Sequence, residues 1–206
     1  MTFSDKDMEL LSKSVEERLS PTRYLHTLGV AKAAVKLAEL CLPERVRDVE
    51  AAALLHDISK EYPIEMQYAL IKEFDINVDA EDIESPAVLH SFTAPAVIRR
   101  DFPVFSTPEI LTAVYNHTIG AADMTVFDEI IFLADYIEEN RKYDSCISVR
   151  NYVFDNMKFG DPDSNIIILH KGCIKAINYT LENLKSKNKP INRKNILTRN
   201  ALLSKI

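Results

Sequence analysis

The chemistry this chain could perform rests on a few histidines and carboxylates on faces that should be apolar. His26 shares a helical face with Val30, Ala33, Leu37 and Leu40. His56 closes the run Val46, Val49, Ala53, and Asp57 follows it directly. Asp135 shares the face of Phe127 and Ile131. Taken singly, each is more readily an ordinary core group with a satisfied hydrogen bond. Together they are harder to dismiss, because an unpaired buried carboxylate is expensive and the face of Asp135 carries no basic neighbour. A divalent metal held by two imidazoles and two carboxylates would satisfy all four residues at once. His117 ends the stripe Ile110, Val114 and is followed by Thr118, while His90 opens Leu89-His90-Ser91. Both read as ordinary helix-end histidines, as ligands of a second ion, or as donors to a bound phosphate. His170 has no acidic residue at short spacing and falls in the seam Ile167, His170, Ile174, Ile177, Leu181, so it reads as core packing.

These residues need helices to position them, and the pattern is helical almost throughout. Ser20-Pro21, Ser85-Pro86 and Thr107-Pro108 each set a capping side chain before a proline at the first helical position. The periodicity predicts helices near 5–19, 21–41, 43–57, 63–74, 86–101, 108–117, 125–139, 144–156 and 163–186, with a short last helix within 190–206. Pro95 interrupts the 86–101 pattern and predicts a kink or a break there. Nothing alternates apolar and polar residues for long enough to make a strand, and no internal repeat is visible. The expected fold is all-α: one domain over residues 1–206, its core about 20–160, followed by the helix 163–186 and a basic tail 187–206.

Composition agrees. The 206 residues are 47% hydrophobic and 27% charged, an ordinary globular balance, and only four are glycine, which disfavours glycine-rich phosphate loops. The formal charge is −6, so the chain as a whole is no basic nucleic-acid binder. Charge is uneven, however. From Lys185 onward there are seven basic and no acidic residues, leaving −13 on the rest. Such a segment is a solvated tail or a contact for a polyanion. Cys41, Cys146 and Cys173 have no metal-ligand spacing and read as reduced and buried. The N-terminal stretch is charged where a signal sequence is apolar, and no apolar run is long enough to span a bilayer. The expectation is a soluble cytoplasmic protein without membrane or nucleic-acid partners.

His26, His56-Asp57 and Asp135 together resemble the H…HD…D signature of HD-domain metal-dependent phosphohydrolases. The chain is most similar to the YqeK-type members, the symmetrical diadenosine tetraphosphate hydrolases. The resemblance is carried by RYLHTLGV at Arg23–Val30, ALLHDISKEYP at Ala53–Pro63, LHS at Leu89–Ser91, NHTIG at Asn116–Gly120, Met124-Thr125, ADYIEENR at Ala134–Arg141 and TRNAL at Thr198–Leu202. The chain departs from the family where many members have glycine at the position of Ser91 and Pro-Gly at Glu139-Asn140. Those departures touch phosphate-loop geometry more than metal ligation.

The resemblance implies a single HD-domain helical bundle with a metal centre between core helices, and hydrolysis of diadenosine tetraphosphate to two ADP. His26, His56, Asp57 and Asp135 would hold the first ion, with Asp57 able to bridge to a second near His90 and His117. The ion would lower the pKa of a water from about 16 to about 7 and neutralise charge on the phosphoryl oxygens. The ligand types suit iron, manganese, cobalt or zinc, and the resemblance favours iron. Lys60, Arg23 and Arg141 would contact phosphates, together with Thr118. Gly29 would admit a phosphate or a neighbouring helix. Ser91, Arg199 and Asn200 would touch the nucleotide, the last two if the tail folds back. A homodimer is compatible with this reading. The alternatives are an HD hydrolase of another nucleotide, such as a nucleoside triphosphate or an alarmone, and a non-catalytic nucleotide-sensing or RNA-associated HD protein.

Overall fold

The structure, a computed structural model, describes residues 3–206. Met1 and Thr2, the start of the charged stretch read above as unlike a signal sequence, lie outside them. Among the described residues there are α-helices and short 3-10 turns and no strand. The helices are α1 (Asp5–Glu16), α2 (Pro21–Cys41), α3 (Val46–Leu55), α4 (Ile64–Glu73), α5 (Ala80–Ile83), α6 (Leu89–Asp101), α7 (Pro108–Asn116), α8 (Val126–Ile137), α9 (Asp144–Asn156), α10 (Pro162–Ser186) and α11 (Arg193–Leu203).

Local chemistry explains most of the boundaries. Ser20 and Thr107 accept hydrogen bonds from the backbone amides of Arg23 and Ile110, so α2 and α7 begin on a side-chain cap followed by proline. Thr125 and Asp128 form a reciprocal capping box that starts α8. The segment 43–57 divides into a 3-10 turn at Pro43–Arg45 and α3, and 86–101 into a turn at Pro86–Val88 and α6. The predicted break at Pro95 does not occur. Pro95 is buried inside a continuous α6, where packing compensates the backbone hydrogen bond that proline cannot make. The four-residue α5 was not foreseen, being too short for a periodic signal.

The core is organised around α8. Ile130, Ile131, Leu133 and Ala134 are fully buried, and so are Asp128 and Glu129, so this helix is buried nearly all round, as befits a central helix. It packs against α2, α3, α7, α9 and α10. Each isoleucine or leucine side chain so removed from water contributes about 1.5–3 kcal/mol. Among the described residues no helix is long and apolar enough to cross a membrane.

The basic C-terminal segment is not a solvated tail. Residues 193–203 form α11, which packs on α10. Two cations of the segment are drawn to acidic groups of the body. Lys194 pairs with Asp79 (3.0 Å) and Asp82 (2.6 Å), and Lys205 with buried Glu129 (2.9 Å). Gly120, at φ +74°, lets Thr198 of α11 lie where a Cβ would sit.

Candidate metal centre

Six of the residues singled out converge. His26 comes from the first turns of α2, His56 and Asp57 from the end of α3, His90 from the start of α6, His117 from the end of α7 and Asp135 from α8. His56, Asp57, His90 and His117 are buried, and His26 and Asp135 reach them from a partly open side.

Asp57 stands between two sets of imidazoles. Its Oδ2 lies 3.4 Å from His56 Nε2 and 3.7 Å from His26 Nε2. Its Oδ1 lies 3.1 Å from His90 Nε2 and 3.6 Å from His117 Nε2. Asp135 Oδ1 completes the first set, 3.0 Å from His26 Nε2 and 4.0 Å from His56 Nε2. His90 and His117 complete the second, their Nε2 atoms 3.1 Å apart. Thr118 Oγ1 lies 3.1 Å from His117 Nε2 and 3.3 Å from His90 Nε2.

The outward nitrogens of these rings are already engaged. His56 Nδ1 lies 2.7 Å from the Ala53 carbonyl and His117 Nδ1 2.6 Å from the Val114 carbonyl. A carbonyl oxygen can only accept, so these Nδ1 atoms carry the hydrogen and Nε2 is left for the centre. His26 Nδ1 meets Glu138 Oε1 at 3.2 Å, a carboxylate behind an imidazole of the kind that orients metal-ligating histidines. His26 Nε2 and His56 Nε2 are buried and have no hydrogen-bond partner. Orphaned nitrogens aimed at two carboxylates are the observation a divalent cation explains. The residues present therefore fit a metal, and two groups of them, His26–His56–Asp135 and His56–Asp57–His117, offer ligand atoms within 4.8 Å of one another.

The electrostatics agree with that chemistry. Burial pushes the Asp57 carboxyl up, but the charge of His56 and the ring nitrogens of His117, His56 and His90 that face it prevail and hold it well below the carboxylate range. Asp135 is likewise held low against burial, chiefly by Arg141 and then His26. Burial pulls His90 down to about 4, so it is neutral near pH 7. His56 is pulled down by burial but raised on balance by Asp57.

Cationic side chains stand next to the carboxylates. Arg23 Nη1 donates to Asp57 Oδ2 (2.8 Å) and Arg141 Nη2 to Asp135 Oδ1 (2.6 Å). Asp135 thus has a basic partner after all, supplied from the turn beyond α8. Lys60 Nζ lies 3.2 Å from His90 Nδ1, its pKa lowered by burial. Arg23, Lys60, Thr118 and Arg141 line a cleft of about 800 Å³ with Tyr143 and Tyr179 on its walls.

Other placements differ from expectation. Gly29 does not face the cleft. A Cβ there would strike the Glu138 carboxylate and, at 2.9 Å, Asn140 Nδ2, so the glycine admits the chain after α8, including the group that orients His26. Ser91 is fully buried and donates to the Val88 carbonyl (2.8 Å). Arg199 turns toward Asn200 (3.3 Å), and neither lines the cleft, because α11 presents Asn195 and Thr198 inward instead. His170 is buried, yet its partner is polar: Nδ1 lies 2.5 Å from Glu129 Oε2. Sequence reasoning missed Glu138. Its signal, a carboxylate three residues after Asp135, is visible only once His26 is known to lie beside it.

An HD domain model matches residues 23–140, the span that carries all six converging side chains, and the chain belongs to the HD domain family. Its relatives narrow the class. It is 31% identical over 190 residues to a protein of Bacillus subtilis named bis(5'-nucleosyl)-tetraphosphatase, symmetrical, covering 92% of this chain and 94% of the relative. The proteins of the same name from Halalkalibacterium halodurans and Staphylococcus aureus are 30% and 29% identical, covering 92% and 80% of this chain and 93% and 82% of theirs. The fold also matches the crystal structure of an HD superfamily hydrolase described as involved in NAD metabolism from Clostridium acetobutylicum. That match has a TM-score of 0.82 at 24% identity over the whole of both chains.

Proposed function

We propose that this protein is a metal-dependent hydrolase that cleaves diadenosine tetraphosphate, and related dinucleoside tetraphosphates, symmetrically to two ADP. The observation that carries the reading is Asp57, whose two oxygens face two separate histidine sets at the floor of a cation-lined cleft. The near-full-length relatives named for this activity support it.

His26, His56, Asp57 and Asp135 would hold one divalent ion, and His90 and His117 a second through Asp57. A bound ion supplies a water nucleophile at neutral pH and offsets charge on the phosphoryl oxygens. We place iron first among iron, manganese, cobalt and zinc. The chain's own groups do the rest. Arg23 and Arg141, poised on the two carboxylates, swing to a phosphate as planar forks, and Lys60 adds a point charge. Thr118 offers a hydroxyl to a phosphoryl oxygen. Glu138 keeps the His26 ring oriented.

Product analysis tests the activity. Protein loaded with Fe, Mn or Co should release ADP as sole nucleotide product from diadenosine tetraphosphate. ATP with AMP would refute symmetric cleavage. Faster turnover of a nucleoside triphosphate or alarmone at matched concentration would reassign the substrate. Metal analysis of the purified protein tests the ion.

A further inference from the structure

The main cleft does not end at the metal centre. A second cavity of about 430 Å³ adjoins it, sharing Ala87, Val88, Thr118 and Thr180 as common wall. Thr118 places this annex directly beside His90 and His117. Pro86, Ile119, Leu184 and Pro190 give it apolar wall, and Glu84 and Ser85, with Asn192 and Asn195 from the start of α11, supply polar groups. Asn195 donates its amide to the Ile119 carbonyl (3.2 Å), and among the described residues nothing donates to its Oδ1.

That chemistry has a direction. From the annex the order runs through Thr118, the His90–His117 pair, Asp57, the His26–His56 pair, and Asp135 to Arg141 and the tyrosine wall. A group cleaved at Asp57 therefore has the apolar annex within reach past Thr118, and Tyr143 and Tyr179 on the walls of the main cleft. A purine has two apolar faces and a polar edge that can carry an amino donor, which suits apolar walls with a free amide oxygen. The volume lies within the range of small-molecule sites. The geometry points to the annex as the base-binding site for one nucleoside of the substrate, the second nucleoside lying against the tyrosines. This inference rests on the proposed function. It gives the C-terminal segment a role: α11 and the 189–192 connection build a specificity wall.

The chain contains no tryptophan, so a single introduced one reports locally. Lys189, exposed at the annex mouth, is replaced in Lys189→Trp. ADP titrated into the metal-loaded variant should quench its emission saturably, whereas inorganic pyrophosphate, charged but lacking a base, should not. Leu184→Trp fills the annex and should raise KM for diadenosine tetraphosphate about tenfold, leaving kcat within about twofold. No quenching by ADP, equal quenching by pyrophosphate, or an unchanged KM in folded Leu184→Trp overturns the assignment. If Leu184→Trp does not fold, the Lys189→Trp titration decides alone. Wild-type protein that releases no ADP from diadenosine tetraphosphate refutes the proposed function instead, and ADP quenching then still reads the annex.

Discussion

Two buried histidine–carboxylate clusters lie near opposite ends of α8, and they are built to opposite rules. At the N-terminal end both oxygens of Glu129 are taken, one by His170 (2.5 Å) and one by Lys205 (2.9 Å), and Lys205 also donates to the Met124 carbonyl (2.8 Å). At the C-terminal end Asp135 joins a cluster in which His26 Nε2 and His56 Nε2 face carboxylates without a hydrogen bond and a cleft opens above. Six residues along one helix, about 9 Å, separate a closed network from an open one. Residue types do not distinguish them, since each has imidazole, carboxylate and a cation. What distinguishes them is whether the polar atoms are used up among themselves. A satisfied cluster holds the fold together; an unsatisfied one keeps its lone pairs for a ligand.

The sharpest way to break that contrast is Asp57→Ala. It should cost at least about 1000-fold in hydrolysis, about 4 kcal/mol of transition-state stabilisation, while cooperative thermal unfolding is retained. Activity within tenfold of wild type would place the chemistry elsewhere. Glu129→Ala should do the reverse. Unfolding in denaturant should show a loss of about 3 kcal/mol, because a buried pair is broken, with metal content per folded chain unchanged. A variant of normal stability and depleted metal would erase the distinction between the clusters.

Glu138→Gln should have a smaller effect, about 10- to 100-fold in metal affinity, read by competition with a chelator. Stability should barely move, which separates an orienting role from a structural one.

Acid titration of the metal-free protein gives the smallest signal. His90 titrates near 4 when folded and near its ordinary 6.5 when unfolded, so the unfolded chain binds the proton first. Its contribution is therefore fully present above about pH 6.5 and is lost as pH falls toward 4. The melting temperature should drop across that window, and His90→Asn should flatten the drop by a few degrees. An unchanged slope would assign the acid sensitivity to other groups.

Much of this was legible beforehand because it is local. A cap followed by proline announces a helix start from two adjacent residues, as at Ser20-Pro21 and Thr107-Pro108, and α2, α7 and α9 begin where the pattern puts them. The same period of 3.6 showed that His26, His56, His117 and Asp135 lie on faces meant for the interior. Periodicity says that a residue turns inward and does not say what it meets there. His170 and Glu129 are 41 residues apart, and His26 and Glu138 are 112 apart. No spacing rule connects such pairs.

The sequence by itself determined the helices and the set of ionisable side chains they bury, because hydrogen bonding and amphipathic pattern act within a turn or two of the chain. Only the tertiary structure decided that Asp57 divides its two oxygens between two histidine sets. It likewise decided that Gly29 yields its space to Glu138, and that the basic segment folds onto the body as α11. Those outcomes depend on which faces are packed together, and each turns on angstrom distances between atoms far apart in the chain.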